Sequence, residues 1–101
     1  MPKVCRVEDS LSTGHACDGT TTIDTSNTDG TVHANGRDII VIGAPTVSHD
    51  ILVGIICVPH VETLKEGSST VFINGIGVGR IGDGADGGEM ISGSENVFVG
   101  G

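Results

Sequence analysis

Aromatic side chains are almost missing from this chain: it has no Trp and no Tyr, and Phe72 and Phe98 are its only Phe residues. Rings dominate the burial of most small cores, so ordinary core packing cannot be the main source of stability and another device is expected. Basic residues are also scarce, with 5 Lys+Arg against 13 Asp+Glu and a formal charge of −8. Sequence-independent nucleic-acid binding needs a basic footprint and is not expected. No long apolar run occurs. The longest, Ile51-Leu52-Val53-Gly54-Ile55-Ile56-Cys57-Val58-Pro59, is far shorter than the roughly 20 residues of a spanning helix, and reads as a buried strand or loop. The opening Met1-Pro2-Lys3-Val4-Cys5-Arg6-Val7-Glu8-Asp9 contains no apolar stretch of signal-peptide length. It predicts a protein that starts in the cytoplasm without Sec export.

Glycine, by contrast, is abundant at 17 residues. Each marks a turn or a close backbone approach and disfavours long helices, so an all-β chain is expected. At 101 residues the chain is expected to form one domain, residues 1–101. Three cysteines, an odd number in a chain read as cytoplasmic, suit metal ligation or free buried thiols better than a disulfide framework.

The glycines belong to a repeat. Thr31-Val32-His33-Ala34-Asn35-Gly36 is echoed 39 residues later by Thr70-Val71-Phe72-Ile73-Asn74-Gly75. At the same offset Ile39, Ile42 and Gly43 fall on Val78, Ile81 and Gly82. Asn-Gly between apolar runs is a hairpin signal. A third copy is divided between the chain ends: Asn96-Val97-Phe98-Val99-Gly100 supplies its first strand, and Cys5-Arg6-Val7-Glu8-Asp9 resembles Gly79-Arg80-Ile81-Gly82-Asp83, its second. The termini should then lie side by side. Three copies in a circular arrangement predict pseudo-threefold symmetry, which would let a monomer fit on a trimer.

Between the copies, Ser12 to Gly30 and Ala44 to Gly67 hold most of the His and Cys, and are expected to be loops that meet at one end. His15, His49, Cys57 and His60 are candidate metal ligands, with Cys17 as the alternative thiolate; imidazole and thiolate together suit tetrahedral zinc. His15 and Cys17 are two residues apart, which in extended chain puts both on one face. Cys57 and His60 are three apart, which a turn can converge. A structural zinc would supply the staple that a poorly packed domain needs. His33 aligns with Phe72 and is expected to pack or face a partner rather than bind metal.

Other readings are weaker. An open zinc hydrolase centre would need Glu8, Glu62 or Glu66 as general base, and no His-Glu-x-x-His motif is present. Gly77-Val78-Gly79-Arg80-Ile81-Gly82 matches a dinucleotide-binding pattern without the helix that must follow it. Gly82-Asp83-Gly84-Ala85-Asp86-Gly87-Gly88 looks like one calcium β-roll turn, but such rolls need consecutive copies; it reads as a solvated loop. A free-standing surface-binding β domain, such as a carbohydrate binder, would need exposed aromatics.

Several motifs together resemble the PAAR-repeat family, the spike-tip proteins of contractile phage tails and type VI secretion systems, across nearly the whole chain. The family's Ala-Arg-x-Gly-Asp strand followed by Thr-Gly-His-x-Cys is matched by Cys5-Arg6-Val7-Glu8-Asp9 and Thr13-Gly14-His15-Ala16-Cys17. Its Gly-Ser-x-x-Val-Phe-x-Asn-Gly is matched from Gly67 to Gly75, and its tail by Gly79 to Asp83 and Ser92 to Gly100. The resemblance implies a small conical β fold whose broad base caps a trimeric VgrG-like spike, one copy per trimer, with effector cargo as a further partner. It implies a non-enzymatic piercing role at a virion tail tip or on an injected, secreted spike. A structural metal, zinc or alternatively iron, would be held near the apex by three His and one Cys. His15, His49 and His60 match those histidines, and Cys57 is the favoured thiolate. Three positions depart from the pattern: Asp38-Ile39-Ile40-Val41 stands where Ala-Arg is expected, Gly79 replaces Ala, and Asp86 stands where a late Cys often precedes Gly-Gly.

Overall fold

The computed structural model describes residues 1–100, and among these it contains strands but no helix. The strands are β1 (Ser10–Ser12), β2 (Thr20–Thr22), β3 (His33–Ala34), β4 (Arg37–Asp38), β5 (His49–Val53), β6 (Ile56–His60), β7 (Phe72–Ile73), β8 (Ile76–Gly77), β9 (Gly84–Ala85) and β10 (Gly88–Glu89). They pair in sequence order as five antiparallel two-stranded hairpins. The body is elongated, with extents of 41 × 24 × 22 Å.

Three hairpins share the residue chemistry of the first turn position, an Asn or Asp followed by Gly. Asn35 and Gly36 join β3 to β4, Asn74 and Gly75 join β7 to β8, and Asp86 and Gly87 join β9 to β10. Asn35, Asn74 and Asp86 have φ of 57°, 53° and 54°, the left-handed region that Asn and Asp tolerate best after Gly.

The two apolar segments that follow β4 and β8, together with the segment near the N-terminus, close on one another. Val4 bridges Arg80, Arg6 bridges Ile39, and Val41 bridges Val78. At the centre, Cys5 N–H donates to the Gly79 carbonyl (2.9 Å), Gly79 N–H to Ile40 (2.9 Å), and Ile40 N–H back to Cys5 (3.2 Å). Each backbone satisfies the next in a closed ring of three, so no polar group is orphaned at the middle of the molecule. A Cβ on Gly79 would sit 2.7 Å from Leu64 Cδ2 and 2.9 Å from Ile40 Cγ1, so any larger residue there must displace those side chains.

The divided third copy assembles as the repeat requires. Ile39 N–H donates to Val32 and Val78 N–H to Val71, at 3.0 and 3.1 Å; Val4 N–H donates to Val97 at 3.0 Å. Lys3 bridges Phe98 as His33 pairs with Asp38 and Phe72 with Gly77. The two ends of the chain lie side by side.

Below two of the three ring segments an arginine clasps an aspartate three residues on. Arg6 reaches Asp9 through Nε (2.9 Å), Nη2 (3.0 Å) and its own backbone N–H (2.7 Å). Arg80 repeats this with Asp83 at 3.0, 2.8 and 2.7 Å. In the remaining copy apolar Val41 and Ala44 occupy these places, and only the turn bond survives, Ala44 N–H to Val41 at 3.0 Å. Burial raises the Asp9 carboxyl, yet the Arg6 side-chain and backbone bonds, the Arg6 charge and the Ser92 hydroxyl outweigh it and hold the pKa below the usual carboxylate value.

Aliphatic side chains fill the core. Leu11, Ile23, Ile40 and Leu64 are fully buried with Cys5, Ala44, Ala85 and Met90, and Val4, Ala34, Ile39, Val41 and Val78 form a second cluster. Each fully buried Leu, Ile, Val or Met side chain among them contributes about 1.5–3 kcal/mol. Phe72 and Phe98 lie outside both clusters and are exposed. The apolar run from Ile51 to Pro59 forms strands, as one reading allowed, but it is not buried: most of it lies exposed on hairpin β5–β6. Short two-stranded pairing leaves its side chains no second layer to cover them.

Candidate metal centre

The side chains of His15, His49, His60 and Asp86 converge, each offering one donor atom, with all four donors within 4.8 Å of one another. This group can hold a metal ion. A tetrahedral ion with bonds near 2.0–2.1 Å spaces its ligands about 3.4 Å apart, so modest ring rotations close the shell.

His49 and His60 come from one hairpin. They face each other across the first rung of β5–β6, where opposed side chains share a face. His15 comes from the turn after β1. Gly14 has φ of 73°, and a Cβ on it would run into the Gly87 carbonyl. Gly87 N–H also donates to the Thr13 carbonyl at 2.8 Å. These contacts dock the β9–β10 turn on the His15 turn and aim Asp86 between the rings. His15 Nε2 lies 2.9 Å and His49 Nε2 2.7 Å from Asp86 Oδ2, and His60 Nε2 lies 3.3 Å from Oδ1. The His15 and His49 rings stack at 6° between planes, and His60 stands edge-on to both.

Hydrogen bonding sets the tautomers of two rings. His15 Nδ1 lies 3.1 Å from the Ala16 carbonyl and His49 Nδ1 2.9 Å from the Val47 carbonyl. A carbonyl oxygen only accepts, so both Nδ1 atoms carry the proton. Their Nε2 atoms are left to meet a carboxylate, an arrangement satisfied by added protons or by a cation. Outer bonds of this kind orient metal-bound imidazoles. Burial lowers the His15 pKa, but the Ala16 carbonyl and Asp86 outweigh it and raise it above the ordinary value. Burial raises the Asp86 carboxyl, and the bonds from His15, His49 and His60 outweigh that and hold it low.

The three expected histidines are thus brought together; the expected thiolate is not. Cys57 and its alternative Cys17 are joined in a disulfide with Cα atoms 6.0 Å apart, which corrects the preference for metal ligation or free thiols. Strand geometry explains why. His60 and Cys57 are three residues apart in β6, and an odd separation in a strand puts side chains on opposite faces. No turn intervenes to converge them. Nor is His15-Ala16-Cys17 extended, since Cys17 has φ of 78°; the chain turns there, and Cys17 bridges Ile51. The third cysteine, Cys5, is a free buried thiol that donates to the Ser92 carbonyl at 3.3 Å. Burial pushes its pKa up, foremost among its causes.

Asp86 is the candidate ligand that the sequence reading lacks. Its segment reads as a solvated loop by composition, but it folds as β9–β10 and its carboxylate is nearly covered. The signal was the motif departure itself, an aspartate at the place of a late cysteine. His33 stands apart on β3, exposed and 2.9 Å from Asp38 Oδ1. Glu8, Glu62 and Glu66 are not in the group; Glu66 accepts the Gly84 N–H at 2.7 Å.

No protein-family model matches this chain, and comparison with curated proteins gives no match.

Proposed function

We propose that this chain is a structural tip protein of the PAAR-repeat kind, which caps the trimeric central spike of a contractile injection machine and sharpens it for piercing a target envelope. The observation that carries this reading is the closed ring through Cys5, Gly79 and Ile40, the backbone of a pseudo-threefold body in a single chain. A monomer with threefold character can seat one copy on a trimer without a symmetry clash.

The equivalent residues His33, Phe72 and Phe98 are all exposed, one per third, and form the natural anchors for three equivalent spike subunits. In the circular order of the repeat they precede the ring segments, Phe98 by the pairing of the chain ends, whereas His15, His49 and Asp86 follow them. In this reading the first set marks the broad base of a cone and the second its narrow end. The metal is zinc, with iron as the alternative: three imidazoles and a carboxylate suit either. Four protein ligands fill a tetrahedral shell and leave no position for a substrate, which favours a mechanical role over an enzymatic one. Effector cargo would ride on the same spike, in a phage tail tip or a secreted assembly.

Mixing the chain with a trimeric spike β-helix and measuring mass by light scattering tests this. One copy per trimer is expected. A stable homo-oligomer that ignores the spike overturns it.

A further inference from the structure

An exposed apolar surface lies at the turn of β5–β6, away from the histidines at its base. Leu52, Val53, Ile55 and Ile56 are 45%, 54%, 97% and 59% exposed. No charged residue occurs between Ile51 and Pro59, whereas Asp18, Asp50 and Glu62 surround the hairpin's root. Polarity therefore switches from charged to wholly apolar along one short element, in a molecule with a formal charge of −8.

The hairpin is also clamped where this switch occurs. Cys57 stands opposite Leu52 in the register and is tied to Cys17. Cys17 bridges Ile51, Asp18 N–H donates to the Asp50 carbonyl at 3.1 Å, and Asp50 N–H donates to the Asp18 carboxylate at 2.8 Å. The apolar end stands on a fixed stem, which lowers the entropy cost of binding.

We propose that the β5–β6 turn, Leu52 to Ile56, inserts into the interfacial layer of a lipid bilayer. From Leu52 to the turn the strand rises about 7–10 Å at ~3.3 Å per residue, which matches the roughly 5–10 Å to which interfacial elements bury their apolar face. Insertion stops there, because a two-stranded hairpin keeps outward backbone groups that hydrocarbon cannot satisfy. The acidic chain is repelled by anionic headgroups, so the preferred surface is zwitterionic. The spike-tip reading gives this insertion a setting, but the chemistry needs no spike.

Flotation of the full chain with phosphatidylcholine vesicles is the test. The wild type is expected to float with them, and less so when phosphatidylserine is added at low salt. Ile55→Asp should weaken partitioning on the order of tenfold or more, with melting temperature and metal content unchanged. In Ile55→Trp, the sole Trp should shift its emission to the blue on vesicle addition. Absence of wild-type flotation, equal flotation of Ile55→Asp, or an unshifted Trp each overturns the proposal. So does self-association that Ile55→Asp abolishes without any vesicle binding, which would assign the turn to a second copy. A chain that floats but binds no spike would remove the spike-tip reading and leave this one standing.

Discussion

His49 and His60 face each other across the first rung of β5–β6, and the Nε2 atoms of both reach the Asp86 carboxylate, at 2.7 and 3.3 Å. A cross-strand pair and one turn residue thus supply three of the four candidate donors, and His15 supplies the fourth.

The first prediction concerns that shell. Asp86→Asn keeps shape but removes the charge that a cation needs, so metal content by elemental analysis should fall well below one per chain. His49→Ala should do the same. If metal is held at 1,000 times its dissociation constant, its loss costs about 4 kcal/mol, and the melting temperature should drop by more than 10 °C for a domain this size, at about 4–8 °C per kcal/mol. Asp86→Cys should retain metal, because thiolate is also a zinc ligand.

Cys57→Ser separates the disulfide from the metal. Cys57 and His60 point to opposite faces of β6, so the substitution should leave metal content unchanged. Stability should nevertheless fall by about 2–4 kcal/mol, since a cross-link spanning 40 residues restricts the unfolded chain. Metal loss in Cys57→Ser would place the thiolate in the shell after all. Reductant should reproduce the stability loss in the wild type.

Much of this architecture is legible in the sequence, and the rest is hidden for local reasons. The Asn-Gly turns and the echo between Thr31 and Thr70 carried the hairpins, and the divided copy carried the meeting of Lys3 with Phe98. Histidine spacing carried three of the four candidate donors. Cys57 misled because the run around it was treated as able to turn, whereas strand pairing from His49 to Val53 fixed its parity. Asp86 was hidden because a Gly- and Asp-rich stretch has the composition of a loop, and only its docking on Gly14 buries the carboxylate. The exposure of Ile55 was not legible either, since apolar sequence does not say which hairpin lacks a covering layer.

Acid sensitivity should trace in part to the Arg6–Asp9 clasp. The Asp9 carboxyl is held below its ordinary value near 3.8, so the charged form is favoured by folding. Its contribution is present above that ordinary value and is lost as pH falls through the lower folded one. The stability gap between the wild type and Asp9→Asn should stay constant down to about pH 4 and shrink below it. Above pH 4 Asp9→Asn should be less stable by about 3 kcal/mol, because it removes the counter-charge of the buried Arg6.

Gly79→Ala tests the packing at the centre of the ring. The added methyl meets Leu64 and Ile40 at under 3 Å, and overpacking of this kind costs about 1–3 kcal/mol. Pairing it with Ile40→Val should recover part of the loss, and a double-mutant cycle reads the coupling.

The Lys3–Phe98 pairing bears on how the polypeptide can be rewired. Since Val99 N–H already bonds the Pro2 carbonyl at 3.0 Å, a short linker can weld one end to the other, and the backbone can be opened instead at Asn35–Gly36 or Asn74–Gly75. Such circular permutants should fold to the same body, because the break merely moves from one hairpin to an equivalent one.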